Sequence, residues 1–193
     1  MGMRAALIVF SLVLPASVGA ALLAACSPKP STEDLRVTGP NVADFTAACQ
    51  QVEGGTAQTC GVSAMLERRC GSLDCHGYTR RPLRIYSKYG LRLPPIDAND
   101  ASIINEPGSG ETTPEEKSAN YRSLVGVEPE KTEDVAKNNA TPDTLLIYKK
   151  PLGIEGHKGG VPVNKGDDSE RCLVSWLRGT TDKTACGKAA ELP

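Results

Sequence analysis

The chain has little from which to build an apolar core, because only 4% of its 193 residues are aromatic. It has one Trp, five Tyr and two Phe, against 19 Gly and 14 Pro. A domain so poor in large apolar side chains needs disulfides, a metal or a buried cofactor to support its fold. The sequence therefore predicts a small domain that depends on cross-links or on a bound group.

Histidine is scarcer still, since His76 and His157 are the whole complement. Two histidines leave little room for a hydrolytic triad, and the Gly-x-Ser-x-Gly motif is absent. Gly108-Ser109-Gly110 lacks the Lys-Ser/Thr of a phosphate-binding loop. The formal net charge is −1, and no basic cluster points to nucleic acid as a partner. We expect neither an enzyme nor a nucleic-acid-binding protein.

An N-terminal targeting segment is the first feature that is present. Arg4 precedes an apolar run that ends in Leu23-Ala24-Ala25-Cys26. This ending resembles the lipobox of bacterial lipoproteins, which implies cleavage before Cys26 and acylation of its thiol. By this resemblance, residues 1–25 are expected to be a lipoprotein signal peptide, and lipid on Cys26 is expected to anchor the protein to a membrane. An ordinary secretory signal or a transmembrane anchor is the alternative.

The residues after the cysteine bear on location. Ser27, not Asp, follows Cys26, which in lipoproteins of Gram-negative bacteria implies the outer membrane, on its periplasmic or cell-surface side. Such a compartment is oxidising and permits disulfides. Residues 26–40 carry Ser, Pro, Lys, Thr and Glu without periodicity, which predicts a lipidated N-terminus and tether. Residues 41–193 are enough for one domain.

Patterns within residues 41–193 predict short helices separated by long irregular loops. Thr113-Pro114-Glu115-Glu116 has the capping hydroxyl, the proline and the acids of a helix start, and this helix should run to about Val125. Weak alternation indicates two short extended pieces, and a segment rich in turn-forming residues predicts a surface loop. Further helices are expected over 42–51, 61–69, 131–138, 142–149 and 167–179, extended pieces over 84–86 and 91–93, and the loop over 94–110.

One short segment, Cys70-Gly71-Ser72-Leu73-Asp74-Cys75-His76-Gly77, combines two thiols with an imidazole. A cysteine pair followed directly by histidine is the attachment motif of c-type haem, in which the imidazole binds the iron. The usual spacing has two residues between the cysteines; the four found here occur among multihaem cytochromes. Cys70 and Cys75 are therefore the candidate haem anchors, and His76 is the candidate proximal ligand. The basic residues from Arg80 to Lys88 are candidates for contact with haem propionates or a partner, a solvated edge being the alternative.

A second iron ligand has to come from elsewhere in the chain. His157 lies in Gly156-His157-Lys158-Gly159-Gly160, whose glycines allow the backbone to approach a flat ligand closely. A solvated loop histidine is the alternative. Met65 precedes the motif on a predicted helix, where a core role is favoured. His76 and His157 are thus the candidate metal ligands, and one haem c is the expected cofactor.

Seven cysteines permit several arrangements. With Cys26 assigned to lipid, the other six either form three disulfides, or form two and leave Cys70 and Cys75 for haem. Proximity in the sequence favours Cys49–Cys60 and Cys172–Cys186 as disulfides. A third arrangement uses the two motif thiols and both histidines as a zinc site, although an oxidising compartment favours disulfides over thiolates.

The order of features resembles class I c-type cytochromes and bacterial surface haem domains. Cys75-His76-Gly77, His157-Lys158-Gly159-Gly160 and Trp176 carry this resemblance, within about residues 60–180. It implies a mostly α, cytochrome-c-like domain, stapled by disulfides, that transfers single electrons to unidentified redox partner proteins. The alternative is a haem-free, disulfide-stapled surface lipoprotein with a structural or interaction role.

Overall fold

The structure, a computed structural model, describes residues 38–94 and 110–191. The chain divides into two units between Arg36 and Val37, and every described residue belongs to the second unit. The predicted signal peptide, Cys26, most of the tether and most of the predicted loop 94–110 lie outside the described residues. No helix in the described part of the chain is long and apolar enough to cross a membrane.

Helices make up most of the regular structure in the described ranges. The exception is a small hairpin, in which Gln50–Gln51 (β1) pairs antiparallel with Gln58–Thr59 (β2). A 3₁₀ turn covers Pro142–Thr144. The α-helices are Val42–Thr46 (α1), Val62–Cys70 (α2), Pro114–Val125 (α3), Pro129–Ala136 (α4), Leu146–Lys149 (α5), Asp168–Leu177 (α6) and Lys183–Glu191 (α7). The prediction of a mostly α fold is confirmed.

Two helices begin where their capping residues predicted. The Thr113 hydroxyl accepts a hydrogen bond from the Glu116 N–H, while the Glu116 carboxylate accepts one from the Thr113 N–H at 2.9 Å. These reciprocal bonds satisfy backbone donors that the first turn of α3 leaves unpaired. Asp167 caps α6 in the same position by accepting from the Glu170 N–H at 2.8 Å.

Other expectations need correction. The first helix ends at Thr46 instead of continuing to residue 51, because the chain turns there into the hairpin. The predicted extended pieces at 84–86 and 91–93 do not pair as strands. Helix α7 was not predicted, since Gly187 lies in its middle and glycine weakens helices. A Cβ at Gly187 would collide with the Gln58 carbonyl, so glycine allows α7 to cross the hairpin closely.

Both disulfides favoured by sequence proximity are present. Cys49–Cys60 closes the hairpin, and Cys172–Cys186 joins α6 to α7 with Cα atoms 4.7 Å apart. Three aromatic side chains form one cluster, where rings from α1, α3 and α6 meet. Its members are Phe45, Tyr121 and Trp176, with the Phe45 and Trp176 centroids 5.1 Å apart. The predicted disulfide-stapled fold is confirmed, and three of its aromatic residues pack together.

Candidate functional site

An apolar cavity of about 500 Å³ lies among α2, α3, α5, α6 and the two histidine-bearing loops. This volume is within the range of about 300–1,000 Å³ that is typical of ligand and cofactor sites. Cys70, His76 and His157 line the cavity, so residues far apart in the sequence share one space. Its apolar walls include Met65, Leu66, Leu83, Ile85, Leu124 and Leu173.

The two imidazole rings are stacked in this space, with their planes nearly parallel. The ring centroids of His76 and His157 are 5.9 Å apart, and their planes are within 10° of parallel. Imidazole–metal bonds are about 2.0 Å long, which places two rings on opposite sides of one metal ion about 6 Å apart between centroids. The centroid separation therefore falls in the range of a pair that shares one metal, while the rings themselves are stacked in this structure.

A backbone carbonyl orients each ring. His76 Nδ1 lies 3.0 Å from the Leu83 oxygen, and His157 Nδ1 lies 2.8 Å from the Gly160 oxygen. Because a carbonyl oxygen can only accept, each ring carries a proton on Nδ1, and a ring in its neutral form then has its lone pair on Nε2. Metal-binding histidines are held by their second nitrogen in this way. In the neutral form of each ring, Nε2 is therefore the nitrogen available to a metal.

Electrostatics also favours the neutral form of His76. Burial lowers the pKa of His76 from its ordinary value of 6.5, and the neighbouring His157 and Arg81 lower it further. The hydrogen bond to Leu83 opposes this shift without reversing it. Since an imidazole must lose its second proton before it ligates a metal, His76 is ready to bind at neutral pH.

The loop that carries His76 is folded tightly on itself. The His76 N–H donates to the Cys70 oxygen at 2.8 Å, and the His76 oxygen accepts from the Ile85 N–H at 2.9 Å. A Cβ at Gly77 would collide with the Gly71 carbonyl, and one at Gly90 would collide with the same oxygen. Only residues without a side chain permit these approaches. The proximal loop, which starts at the last residue of α2 and spans residues 70–91, is thus tightly packed although residues 71–91 form no helix or strand.

Two side chains hold the proximal loop from outside the motif. Arg81 donates from Nε to the Cys75 oxygen and from a terminal nitrogen to the Asp74 oxygen, each at 3.1 Å. The buried Ser87 hydroxyl donates to the Gly71 oxygen at 2.6 Å. The sequence singled out the basic run for propionates or partners, and no pattern indicated these bonds. Lys88, from the same run, forms an ion pair with Glu111 at 2.8 Å.

Helix α3 supports the segment that supplies the Leu83 carbonyl. Asn120 is fully buried, accepts from the Tyr86 N–H at 2.6 Å and donates to the Tyr86 oxygen at 2.8 Å. Neighbouring side chains on the same stripe of α3 accept from the backbone before and after this point. These bonds run from Arg84 N to Ser123 Oγ at 3.2 Å and from Leu93 N to Glu116 Oε1 at 2.8 Å. The helix therefore takes the place of a partner strand.

The motif cysteines differ from the other four described cysteines in being free thiols. Cys70 and Cys75 are both half-buried, and burial together with the neighbouring Cys75 raises the pKa of Cys70 to about 12. Zinc requires the thiolate form. Within residues 38–94 and 110–191, no group of three or more His, Cys, Asp or Glu could hold a metal ion. The zinc arrangement is thus not assembled in this structure.

The remaining candidate ligands are also located. Met65 is fully buried in the core and lies in the cavity wall, which accords with its expected core role. His157 is half-buried beside His76, and is not a fully solvated loop residue. The sequence could name both histidines but could not show that the chain brings them together.

Comparison with known proteins finds no matching family model, curated protein or solved structure. What this site can do therefore follows from its own chemistry. It offers two imidazole rings 5.9 Å apart, a free thiol in the wall, a second thiol on the residue before His76, and an apolar space between helices. That donor set suits a flat metal cofactor that is held covalently at one edge.

Proposed function

We propose that this protein is a lipid-anchored, monohaem c-type cytochrome-like protein that transfers single electrons. His76 and His157 are its axial iron ligands, and Cys70 and Cys75 are its thioether anchors. The observation that carries the proposal is the parallel pair of imidazoles, 5.9 Å apart in an apolar cavity.

Haem fits this donor set better than a bare metal ion does. Two imidazoles supply two ligands, and among the described residues no group of three or more His, Cys, Asp or Glu could hold a metal ion. A porphyrin itself supplies the four remaining coordination positions of the iron, and its flat apolar surface requires an apolar pocket. The cavity of about 500 Å³, with leucine and isoleucine in its walls, provides that environment.

The fold of the loop supports attachment across the longer cysteine spacing. The Cys75 N–H donates to the Ser72 oxygen at 3.0 Å, which closes a turn between the two cysteines. The Cys70 oxygen and the His76 N–H are only 2.8 Å apart as a result. The extra residues are thus taken up by a turn, and the start and end of the motif stay together.

The residues around the two rings determine how a bound haem would behave. Haem supplies an iron that gains and loses one electron, while the protein sets the axial ligands and the polarity around it. The carbonyls of Leu83 and Gly160 fix the ring orientations and make each Nε2 a stronger donor. Two histidines favour a lower reduction potential than a histidine–methionine pair.

Location follows from the N-terminal segment in this proposal. Lipid on Cys26 and the tether up to residue 40 keep the haem domain at the outer membrane, on its periplasmic or cell-surface side. There it exchanges electrons with redox partner proteins that approach the domain. An oxidising compartment also accords with the two disulfides of the fold.

Expression in a host with c-type haem maturation tests the proposal. We expect a Soret band and a reduced α-band that persist after denaturation, and loss of both in the Cys70→Ala/Cys75→Ala variant. The matched control is Cys172→Ala/Cys186→Ala, which also removes two cysteines but only opens a disulfide. The control should keep covalent haem while losing about 2–5 kcal/mol of stability.

Thiol counting gives an independent measurement on the same samples. Haem attachment leaves the four disulfide cysteines as the thiols released by reduction from residues 38–191. A haem-free protein with three disulfides releases six from the same region. A colourless protein with six reducible thiols, obtained from a host with working maturation, would refute the proposal and favour the structural lipoprotein.

A further inference from the structure

We propose that His157 is an exchangeable ligand and that the iron position it occupies binds small neutral ligands such as carbon monoxide or nitric oxide. This inference rests on the proposed function, because it requires the haem. It goes beyond electron transfer by assigning the site a second, ligand-binding activity.

The turn that carries His157 is held almost entirely by itself. The ring donates to the Gly160 oxygen, and the Gly160 N–H donates back to the His157 oxygen at 3.1 Å. Within the described chain, no backbone hydrogen bond joins residues 156–162, the distal turn, to another element. Its side-chain bond to the helical part is a single exposed one, from Lys150 Nζ to the Gly156 oxygen at 3.2 Å. The turn can therefore swing away without breaking its internal structure.

The two ends of the distal turn form a pair of anchor points. On one side the Ile154 N–H donates to the Lys149 oxygen, and on the other the Val163 N–H donates to the Pro151 oxygen. Gly153 and Gly160 have φ angles of 71° and 82°, which other residues rarely adopt. Moving His157 between these anchors displaces a short segment and leaves α5 and α6 in place.

The chemistry of the cavity selects the class of ligand. Pro151, Val127 and Val163 contribute apolar wall on the side of the turn. The cation in the wall, Lys150, is already engaged by Glu155 at 3.4 Å as well as by the Gly156 oxygen. An anion would lose its hydration without a free partner, whereas a neutral diatomic molecule loses little. The exchange breaks the iron–His157 bond and forms an iron–ligand bond, with no change in electron count and no proton released.

Stopped-flow mixing of the reduced, haem-loaded protein with carbon monoxide tests the inference. In the wild-type protein the binding rate should reach a plateau as carbon monoxide rises, because His157 must leave first. His157→Ala should remove the plateau and raise the apparent affinity by at least about tenfold, since the open state no longer competes with a closed one. The neighbouring variant Lys158→Ala, at an exposed position, is the control and should bind as the wild type does.

A stiffening variant separates motion of the turn from a general effect of mutation. Gly156 does not have a positive φ, and a Cβ there would meet no atom within 4 Å. Gly156→Ala should therefore fit the closed turn while restricting the open one. We expect the plateau rate to fall by about two- to fivefold.

The outcomes separate the two proposals. A protein without haem refutes the proposed function and removes the basis of this inference. A haem-loaded protein that binds no carbon monoxide refutes the inference alone. So does a wild-type rate that rises linearly and equals that of His157→Ala, because His157 would then not compete for the iron.

Discussion

The loop that carries His76 and the turn that carries His157 perform similar tasks with different amounts of support. The proximal loop is bound to α3 through Asn120 and Ser123 and to α2 through the Gly71 N–H, and its glycines touch neighbouring backbone atoms. The distal turn has one internal backbone bond and one exposed side-chain bond from Lys150, the residue after α5. His76 therefore lies in a segment that is hydrogen-bonded to two helices, whereas His157 lies in a turn with a single hydrogen bond to the rest of the described domain.

This difference matches what each position needs in the proposed function. Covalent attachment requires two thiols and a ligand in a fixed arrangement, which a rigid loop supplies before the cofactor arrives. The opposite ligand has only to reach the iron from the other side. Few buried contacts and exposed hydrogen bonds are the features of segments that open at low free-energy cost. Matched substitutions in the two segments test this difference, because they should lower the unfolding free energy by different amounts.

Glycine-to-alanine substitution should give the largest difference in unfolding free energy between the two segments. Gly77→Ala places a Cβ onto the Gly71 carbonyl and should cost about 1–3 kcal/mol of unfolding free energy through overpacking. Gly156→Ala meets no atom within 4 Å and should change stability by less than about 0.5 kcal/mol. Urea unfolding of the haem-free domain measures both. Equal losses in the two variants would contradict the proposed difference in packing.

Removal of one side-chain hydrogen bond from each segment should give a smaller difference in stability between the two segments. Ser87→Ala leaves the Gly71 oxygen without its buried hydroxyl donor, at a cost of about 1–3 kcal/mol. Lys150→Ala removes an exposed bond to the Gly156 oxygen and should cost less than about 1 kcal/mol. Thermal unfolding of the two variants, side by side with the wild type, provides the measurement. A larger loss in Lys150→Ala would mean that the distal turn is the better anchored of the two.

The dependence of stability on pH should show the smallest effect. The folded pKa of His76 is lowered below 6.5, so the unfolded chain binds more protons in the interval between the two values. The unfolding free energy of the haem-free Cys70→Ala/Cys75→Ala protein should therefore fall as pH drops from 7 through this interval. His76→Gln should flatten that slope, because glutamine does not titrate.

Glu67 provides a control with the opposite sign. Burial raises its pKa above 4.5, so the folded state binds more protons between 4.5 and the raised value. Its contribution to stability falls as pH rises through that interval, and Glu67→Gln should remove this fall. If stability still falls on acidification through the His76 interval in His76→Gln, His76 is not the group responsible near neutral pH.

Local signals in the sequence predicted the parts of the fold that depend on neighbouring residues. The capping residues of α3 and α6 marked both helix starts, and short separations identified both disulfides. The prediction failed where distant segments decide. Helix α7, which was not predicted, crosses Gln58 closely at Gly187, and the extended piece expected at 84–86 bonds to α3 side chains.

The candidate site shows the same limit. The motif at 70–77 could be identified from its spacing, and His157 could be named because histidine is so rare in this chain. The 5.9 Å separation of the rings, the carbonyl acceptors at Leu83 and Gly160 and the clamp by Arg81 depend on tertiary packing. No periodicity or spacing in the sequence encodes these contacts.

Electron paramagnetic resonance of the oxidised, haem-loaded protein tests the central claim most directly. If His76 and His157 share one iron, the wild-type protein should give the spectrum of a low-spin ferric haem with two imidazole ligands. His157→Ala should convert this spectrum to a high-spin one while the haem stays covalently attached. A wild-type spectrum that is high-spin, or a low-spin spectrum that His157→Ala leaves unchanged, would contradict the account.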